Sequence, residues 1–288
     1  MIAPGLGLFR VGEWRTGALF VVAQLALILA VTIAAAAAPI RNHASAIAFI
    51  AVFGVCYAAI VGSSAYLAWR RSAAHSRAPW WSRWYGLVFV YVAMTAIVFL
   101  GVKAAHGFYR PFYLPTQSMS PTIELNDRIV ADMRWRGPLK RGDIVMFRNG
   151  NNDWIKRIAA LPGDRIAMRA GVPIVNGVSA QQTKLRSVVM ADDWMREMGT
   201  VYREKLPGEA GAHEVVDTSH TPFDDVPEIV VPAGHIFVLG DNRDHSADSR
   251  VLIARMGVGP VPIREITGQP YFISWGIDRA RTGRRLDR

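Results

Sequence analysis

Three long runs without a charged side chain occupy the first 103 of the 288 residues in this chain. They cover residues 17–40, 44–69 and 84–102. About 20 apolar residues are enough to cross a bilayer as an α-helix. A cleaved signal peptide has a shorter apolar segment and is not followed by two more of similar length. We therefore predict that residues 1–103 form a membrane anchor with three transmembrane helices.

The formal net charge of +10 is concentrated in this apolar third of the chain. Residues 1–103 hold 8 Lys and Arg and a single acid, Glu13, whereas residues 104–288 hold 25 basic and 22 acidic residues. A nucleic-acid-binding domain carries its excess positive charge on a polar surface. The distribution therefore argues against a nucleic-acid partner and favours contact with membrane lipid.

The basic residues also predict the orientation of the anchor. Six of the eight lie before the first run or between the second and third runs. The positive-inside rule places these segments and the N-terminus in the cytoplasm. Three crossings then place residues 104–288 on the outer face of the membrane. The single Cys, Cys56, lies in the second run, so the outer domain cannot depend on an internal disulfide.

Residues 104–278 have the pattern of a mainly β domain with antiparallel sheets. Short runs rich in β-branched residues, such as 128–131 and 236–239, alternate with turns containing Gly, Pro, Asn and Asp. The more polar stretch 180–225 lies within a predicted variable insertion, about residues 165–235. The tail, residues 279–288, holds five Arg and one acid. It is expected to be a frayed, solvated terminus, with contact to anionic lipid as the alternative.

Three polar segments of the outer domain contain candidate chemical groups. Residues 114–122 read LPTQSMSPT, residues 154–158 read WIKRI, and residues 239–250 read LGDNRDHSADSR. Each has an ordinary explanation on its own: a turn, a solvated Lys on a strand, and a loop after a strand. Loops of the last kind often carry function. The chain has no Gly-rich phosphate loop and no His-x-x-x-His pair, so we predict no metal site.

Taken together, these segments resemble the sequence boxes of the bacterial type I signal (leader) peptidases, serine proteases with a Ser/Lys dyad. Residues 116–122 (TQSMSPT) resemble the nucleophile box, and residues 141–147 (RGDIVMF) the strand that follows it. IKRI at 155–158 with LPGD at 161–164 resembles the lysine box, and GDNRD at 240–244 with SADSR at 246–250 resembles the last box. The boxes occur in the family order, behind the expected anchor.

The resemblance implies a role for each matching residue. Ser118 is the expected nucleophile and Lys156 the expected general base. A Ser hydroxyl needs an adjacent base, and a Lys becomes a base near neutral pH when burial lowers its pKa. The Ser118 N–H and the Thr116 hydroxyl are expected to form the oxyanion hole, although many family members have Ser at the latter position. Ser246 is expected to orient the Lys156 amine. No metal or cofactor is implied.

The remaining expectations concern support and substrate. Carboxylate–guanidinium pairs in the last box are expected to brace the loop: Asp241, Arg243, Asp248 and Arg250. The family's shallow pocket for Ala-sized side chains is expected to be lined by Leu114, Pro115, Met119, Ile129, Met146, Trp154 and Ile155, although apolar strand residues more often serve as core. The expected partners are the signal peptides of exported preproteins. The expected location is the bacterial inner membrane, with the catalytic domain on the periplasmic side and the chain acting as a monomer.

The sequence therefore predicts a membrane-bound serine endopeptidase that removes signal peptides at small-x-small sites. Two alternatives remain open. One is a specialised peptidase of the same family that matures pilin or conjugation proteins. The other is an inactive, membrane-anchored homologue that binds exported peptides.

Overall fold

The computed structural model describes residues 6–37, 43–72, 92, 95–96, 99–101, 103, 107–135, 137–191, 196–251, 257–276 and 278–286. The chain divides into two compact units, Met1–Phe108 and Tyr109–Arg288. The boundary lies close to the predicted start of the outer domain at residue 104.

The first unit contains three α-helices with described bounds: α1 (Leu6–Arg10), α2 (Trp14–Ala37) and α3 (His43–Ser72). Two described stretches, Trp14–Val31 in α2 and Ile50–Arg71 in α3, are long and apolar enough to cross a membrane. They overlap the first two predicted spans, residues 17–40 and 44–69. The third predicted span, residues 84–102, lies mostly outside the described residues.

A polar cluster joins the two long helices at one end. The Arg71 guanidinium near the end of α3 lies 2.9 Å from the carboxylate of Glu13, immediately before α2. The Thr16 hydroxyl donates to the same carboxylate at 3.2 Å. Because the start of α2 meets the end of α3, the two helices form an antiparallel hairpin. Both basic segments that flank this hairpin therefore lie at the same end of it.

The second unit is built from antiparallel strands, as predicted. In chain order they are β1 (Tyr109–Tyr113), β2 (Arg128–Asp132), β3 (Ile144–Asn149), β4 (Asn152–Ala160), β5 (Arg165–Arg169), β6 (Val172–Val175), β7 (Val178–Ser179), β8 (Gln181–Ala191), β9 (Arg196–Lys205), β10 (His213–Asp217), β11 (Val226–Val230), β12 (His235–Leu239), β13 (Val261–Pro262) and β14 (Ile266–Trp275).

These strands form three sheets. The largest has seven strands in the order β1-β2-β14-β3-β4-β12-β13, and the second has four in the order β11-β5-β6-β7. The third is a three-stranded sheet in the order β10-β9-β8. The second and third sheets fall within the predicted insertion, so the polar stretch 180–225 contains the long β8–β9 hairpin rather than loops alone.

The hydrophobic core of the large sheet has two parts that flank β3 and β4. One contains Phe147, Ile158 and Val238. The other lies beneath the segment between β1 and β2 and includes Leu114, Met119, Ile123, Ile129, Ile144, Ile273 and Leu286. The second part matters for function because it fixes the loop that carries Ser118.

The described part of the Arg-rich tail is ordered against the sheet. Residues 279–281 form a short 3-10 helix, and the Leu286 N–H donates to the Tyr271 carbonyl at 2.8 Å. The Leu286 side chain is only 4% exposed. The expectation of a frayed terminus is therefore wrong for residues 279–286, the described part of the predicted tail. The tail is ordered because Leu286 is buried and its Arg residues make specific contacts, which net charge does not reveal.

Candidate active site

Ser118 lies in a closed loop between β1 and β2. The Leu114 N–H donates to the Asp127 carbonyl at 3.1 Å, and the Asn126 N–H donates to the Leu114 carbonyl at 2.8 Å. These two bonds join the ends of the loop. Within it, the Met119 side chain is 1% exposed and packs into the core. The residue after Ser118 is thus fixed in the core, while Ser118 stays partly exposed.

Lys156 lies in β4, between β3 and β12, and is only 3% exposed. Its Nζ is 2.8 Å from Ser118 Oγ and 3.1 Å from the Ile155 carbonyl oxygen. Its Nζ also lies 5.4 Å from the centre of the Trp154 ring. Lys156 is therefore not a solvated Lys on the polar face of a strand. The structure brings the two residues of the expected dyad into contact.

Burial makes the Lys156 ammonium group easier to deprotonate than that of an ordinary Lys. Desolvation lowers the pKa of Lys156 to about 8, while the carboxylates of Asp248 and Asp241 act in the opposite direction. Removing an amine from water disfavours its charged form. A substantial fraction of this amine is therefore neutral in mildly alkaline solution and able to accept a proton.

Two buried guanidinium groups limit the effect of those carboxylates. Arg157 contacts both oxygens of Asp241, at 2.8 and 2.6 Å. Arg250 contacts both oxygens of Asp248, each at 2.9 Å. Burial alone would raise the pKa of each acid, but its Arg partner holds that pKa below its ordinary value. Each carboxylate is thus ionised and paired, so less of its field reaches the Lys156 amine.

The two polar groups expected beside the dyad occupy different positions. Thr116 Oγ1 lies 3.3 Å from Ser118 Oγ, and no described residue accepts a hydrogen bond from the Ser118 N–H. Both donors expected for an oxyanion hole are thus on the nucleophile segment. Ser246 is buried, and its hydroxyl has no hydrogen-bond partner among the described residues. Its expected bond to Lys156 is not formed in this structure.

Gly240 separates Ser246 from the backbone of Ser118. A Cβ at this position would lie 2.1 Å from Ser246 Oγ and 2.6 Å from the Ser118 carbonyl oxygen. The neighbouring Asn242 N–H donates to that carbonyl at 3.2 Å. The loop after β12 therefore packs directly on the backbone of the nucleophile.

A groove of about 620 Å³ runs beside the dyad. Five of the seven residues predicted for the substrate pocket line it: Leu114, Pro115, Met146, Trp154 and Ile155. The other two, Met119 and Ile129, lie in the core beneath the loop and do not line it. Ile129 points inward from β2, and Met119 anchors the loop, so neither side chain faces the groove.

Sequence reasoning missed six further residues of the groove: Phe112, Tyr113, Asn152, Asp153, His245 and Ala247. Phe112 and Tyr113 end β1, and Asn152 and Asp153 begin β4. Asn152 and Asp153 lie close to Lys156 because they share its strand. Three strands separate β1 from β4 in the sheet, so strand order alone does not reveal that Phe112 and Tyr113 line the groove. His245, to which the sequence assigned no role, pairs through Nε2 with the Glu197 carboxylate of β9.

Comparisons with known proteins identify the relatives of this chain. The family model described as "Signal peptidase, peptidase S26" matches residues 82–275, more than half of the chain. This chain belongs to the signal peptidase family. A signal peptidase I of Bacillus caldolyticus is 31% identical over 201 residues, covering 67% of this chain and 90% of the relative. A signal peptidase I of Pseudomonas aeruginosa is 30% identical over 203 residues, covering 62% and 70%, respectively.

As a member of the signal peptidase family, the protein is a serine endopeptidase that removes signal peptides from preproteins. These relatives favour neither the specialised maturation peptidase nor the inactive peptide-binding homologue. The matched region contains the whole of the groove and the dyad.

In this signal peptidase, the last box is connected to the three-stranded sheet through Arg243. Its guanidinium pairs with the buried Glu204 of β9 and donates to the carbonyls of Gly240 and Gly171, at 3.3 and 3.2 Å. The Arg250 guanidinium donates to the Arg243 carbonyl. The four residues expected as structural support are therefore all buried and paired, and they hold the loop that contacts Ser118.

A buried His was not anticipated in this support. His213 lies between Glu204, at 3.3 Å, and Glu209, at 2.9 Å. Burial and the charge of Arg157 lower the pKa of His213, but the two carboxylates outweigh them and raise it above its ordinary value. This cluster has no sequence signature, because its three residues are spread over the polar stretch 180–225 without a recognisable spacing.

Proposed function

We propose that Ser118 and Lys156 are the catalytic dyad with which this signal peptidase cleaves preproteins. The observation that carries the proposal is the 2.8 Å separation between Lys156 Nζ and Ser118 Oγ at the end of an apolar-walled groove. A nucleophile within hydrogen-bond reach of a base with a lowered pKa is the arrangement that activates a Ser hydroxyl.

The first half of the reaction forms an acyl-enzyme. Ser118 Oγ attacks the scissile carbonyl carbon as its proton moves to the neutral Lys156 amine. The resulting oxyanion accepts hydrogen bonds from the Ser118 N–H and the Thr116 hydroxyl, which stabilise the charge as it develops. The C–N bond then breaks, and the Lys156 ammonium gives its proton to the departing amine of the mature protein.

The second half releases the signal peptide. A water molecule loses a proton to the Lys156 amine as its oxygen attacks the ester carbon. Collapse of the second tetrahedral intermediate breaks the bond to Ser118 Oγ, which recovers a proton from Lys156. The signal peptide leaves with a free carboxylate. In this scheme the buried Ser246 hydroxyl, which has no partner among the described residues, is the group available to orient the Lys156 amine.

The groove supports recognition of the residues that precede the scissile bond. Its floor and walls include Leu114, Met146 and Ile155, while Asn152 and Asp153 supply polar groups. An extended peptide that adds to a strand edge presents alternate side chains to such pockets. We infer that small side chains of the small-x-small site face these apolar walls.

The membrane arrangement is part of the proposal. We infer three spans, with the N-terminus cytoplasmic and a catalytic domain of residues 104–278 on the periplasmic side of the inner membrane. The antiparallel hairpin of α2 and α3 supports it, because Glu13 and Arg71 bring the two basic flanks to one end. Alkaline phosphatase fused after residue 75 should be inactive, and after residue 107 active. The reverse pattern would overturn the orientation.

The dyad is tested by cleavage of a preprotein in detergent or lipid. We expect Ser118→Ala and Lys156→Ala to lose activity by at least about 10³-fold, the scale on which dyad or triad members act. Ser179→Ala is the matched control, because Ser179 is exposed in β7 and does not line the groove. Wild-type turnover by either dyad variant would contradict the mechanism.

A further inference from the structure

The segment of residues 278–286 packs directly on the loop that carries Ser118. It lies beyond residue 275, where the match to the family model ends. Two independent kinds of contact join it to the loop: hydrogen bonds from Arg281 and apolar packing by Leu286.

Arg281 binds the backbone of the nucleophile loop at two successive carbonyls. Its Nη1 donates to the Pro121 carbonyl at 3.1 Å, and its Nη2 donates to the Thr122 carbonyl at 2.9 Å. These carbonyls belong to the turn that begins at Ser118. A planar guanidinium donates in fixed directions, so it restrains the orientation of both peptide groups.

The same guanidinium also binds a buried carboxylate. Arg281 Nη2 lies 3.1 Å from Asp127 Oδ2, and Asp127 is fully buried. That oxygen also accepts from the Glu124 N–H at 2.9 Å. The Glu124 carboxylate in turn accepts from the Ser120 hydroxyl at 2.8 Å. A connected set of bonds therefore leads from Arg281 back to the second residue after Ser118.

Leu286 provides the apolar half of the contact. It is 4% exposed and belongs to the same core cluster as Met119, within the turn, and Ile123, directly after it. Burial of a Leu side chain stabilises a structure by about 1.5–3 kcal/mol. Apolar side chains thus hold the turn on the side that faces the core, and Arg281 holds it at the Pro121 and Thr122 carbonyls.

We propose that Arg281 is a positioning residue that holds the nucleophile turn so that Ser118 Oγ stays aligned with Lys156. The inference rests on the proposed role of Ser118. Arg281 does not line the groove beside the dyad, so it acts through the loop and not through contact with the bound signal peptide.

Misplacement of a reacting group by about 1 Å can reduce a rate by about 10²-fold. We therefore expect Arg281→Ala in the full-length protein to lower kcat for preprotein cleavage by about tenfold to a hundredfold, with KM within about twofold of wild type. Arg281→Lys keeps the charge but can donate to fewer of these acceptors. Its kcat should fall by at least about threefold, which is less than the fall in Arg281→Ala.

Arg279→Ala is the matched control, because Arg279 lies in the same 3-10 helix but is exposed and stacks on Trp275. Its kcat should equal that of wild type. Ser118→Ala is assayed in parallel: if it stays active, the proposed mechanism itself fails, whereas its inactivity leaves Arg281 to be judged separately.

Three results would overturn the inference. The first is a wild-type kcat in folded Arg281→Ala or Arg281→Lys. The second is a raised KM with unchanged kcat, which would make Arg281 a substrate contact. The third is an equal loss in Arg279→Ala. Thermal unfolding in the same detergent establishes that each variant is folded at the assay temperature, and Arg281→Lys decides the question if Arg281→Ala is not.

Discussion

The guanidinium of Arg157 makes a bidentate contact with the carboxylate of Asp241: Nε lies 2.8 Å from Oδ1, and Nη2 lies 2.6 Å from Oδ2. Arg157 directly follows Lys156 in β4, so a permanently charged side chain and a potential base are neighbours in one strand. Pairing with Arg157 offsets the negative charge of Asp241. Burial therefore remains the dominant influence on the Lys156 amine.

Loss of this pair should strongly destabilise the catalytic domain. Asp241→Asn leaves the buried Arg157 charge without its partner, and breaking a buried pair from one side costs about 3–5 kcal/mol. We expect a fall in Tm of about 10 °C, measured by thermal unfolding in detergent. Glu228→Gln is the control, because the Arg165–Glu228 pair is exposed on both sides. A similar loss in the control would contradict this interpretation.

The pH dependence of cleavage should report the Lys156 amine. Because burial lowers the pKa of Lys156 to about 8, kcat/KM should rise with pH and reach half of its plateau near pH 8. An ordinary Lys would give a midpoint near 10.5. The measurement is a pH profile of preprotein cleavage over pH 6–10. A rate that still rises steeply at pH 10 without a plateau, or one that falls over this range, would exclude Lys156 as the base.

The same burial means that Lys156 lowers the free energy of unfolding at neutral pH. The folded pKa of Lys156 lies below the unfolded value, so the unfolded chain binds more protons between about pH 8 and 10.5, and stability rises with pH across that window. Below pH 8 the full cost is present, on the order of 3 kcal/mol.

Lys156→Met should therefore be inactive yet more stable at pH 7. The gain should be about 1–2 kcal/mol once the two lost hydrogen bonds are counted, at about 1 kcal/mol for a typical bond. The Tm difference from wild type, measured at pH 7 and pH 10, should shrink at the higher pH. A lower Tm for Lys156→Met at pH 7 would show that burial of the amine does not strain the fold.

Thr116 should contribute through its hydroxyl and not through its shape. Thr116→Val keeps the branched side chain but removes the donor, so we expect kcat to fall by about 10²–10³-fold, the usual effect of losing one oxyanion donor. Thr116→Ser retains the donor and should stay within a few-fold of wild type. Equal activity of the Val and Ser variants would remove Thr116 from the oxyanion hole.

Gly240 should tolerate no side chain. The Cβ of Gly240→Ala would lie 2.1 Å from Ser246 Oγ and 2.6 Å from the Ser118 carbonyl oxygen, so the nucleophile turn must move. We expect at least about a hundredfold loss of kcat. Gly211→Ala is the matched control, because nothing lies within 4 Å of its added Cβ. Preprotein cleavage by the two variants, with Tm recorded for each, measures the contrast.

The sequence was sufficient for the local features of the molecule. Uncharged runs predicted the helices α2 and α3, and short β-branched runs between turns predicted strands such as β2 and β12. The order of the boxes led to the dyad, whose two side chains are in contact. These features are encoded by residues close together in the chain, by length, periodicity and short motifs.

Features that depend on distant pairing were missed. The β8–β9 hairpin has polar side chains on both faces, so its strands lack the alternation that reveals a half-buried strand. Met119 and Ile129 were expected in the groove because apolar residues near a nucleophile look alike whether they face a ligand or the core. Arg281 was read as part of a solvated tail, since its acceptors are carbonyls about 160 residues earlier.

The packing of residues 278–286 on the nucleophile turn also sets the order in which the contacts around Ser118 can form during synthesis. Ser118, Lys156 and the groove are all made before the segment that carries Arg281 and Leu286. A nascent chain that still lacks this segment has its reactive groups but not the contacts that complete the turn. The contacts that complete the turn can therefore form only after residues 278–286 have been translated and lie on the same side of the membrane as Ser118.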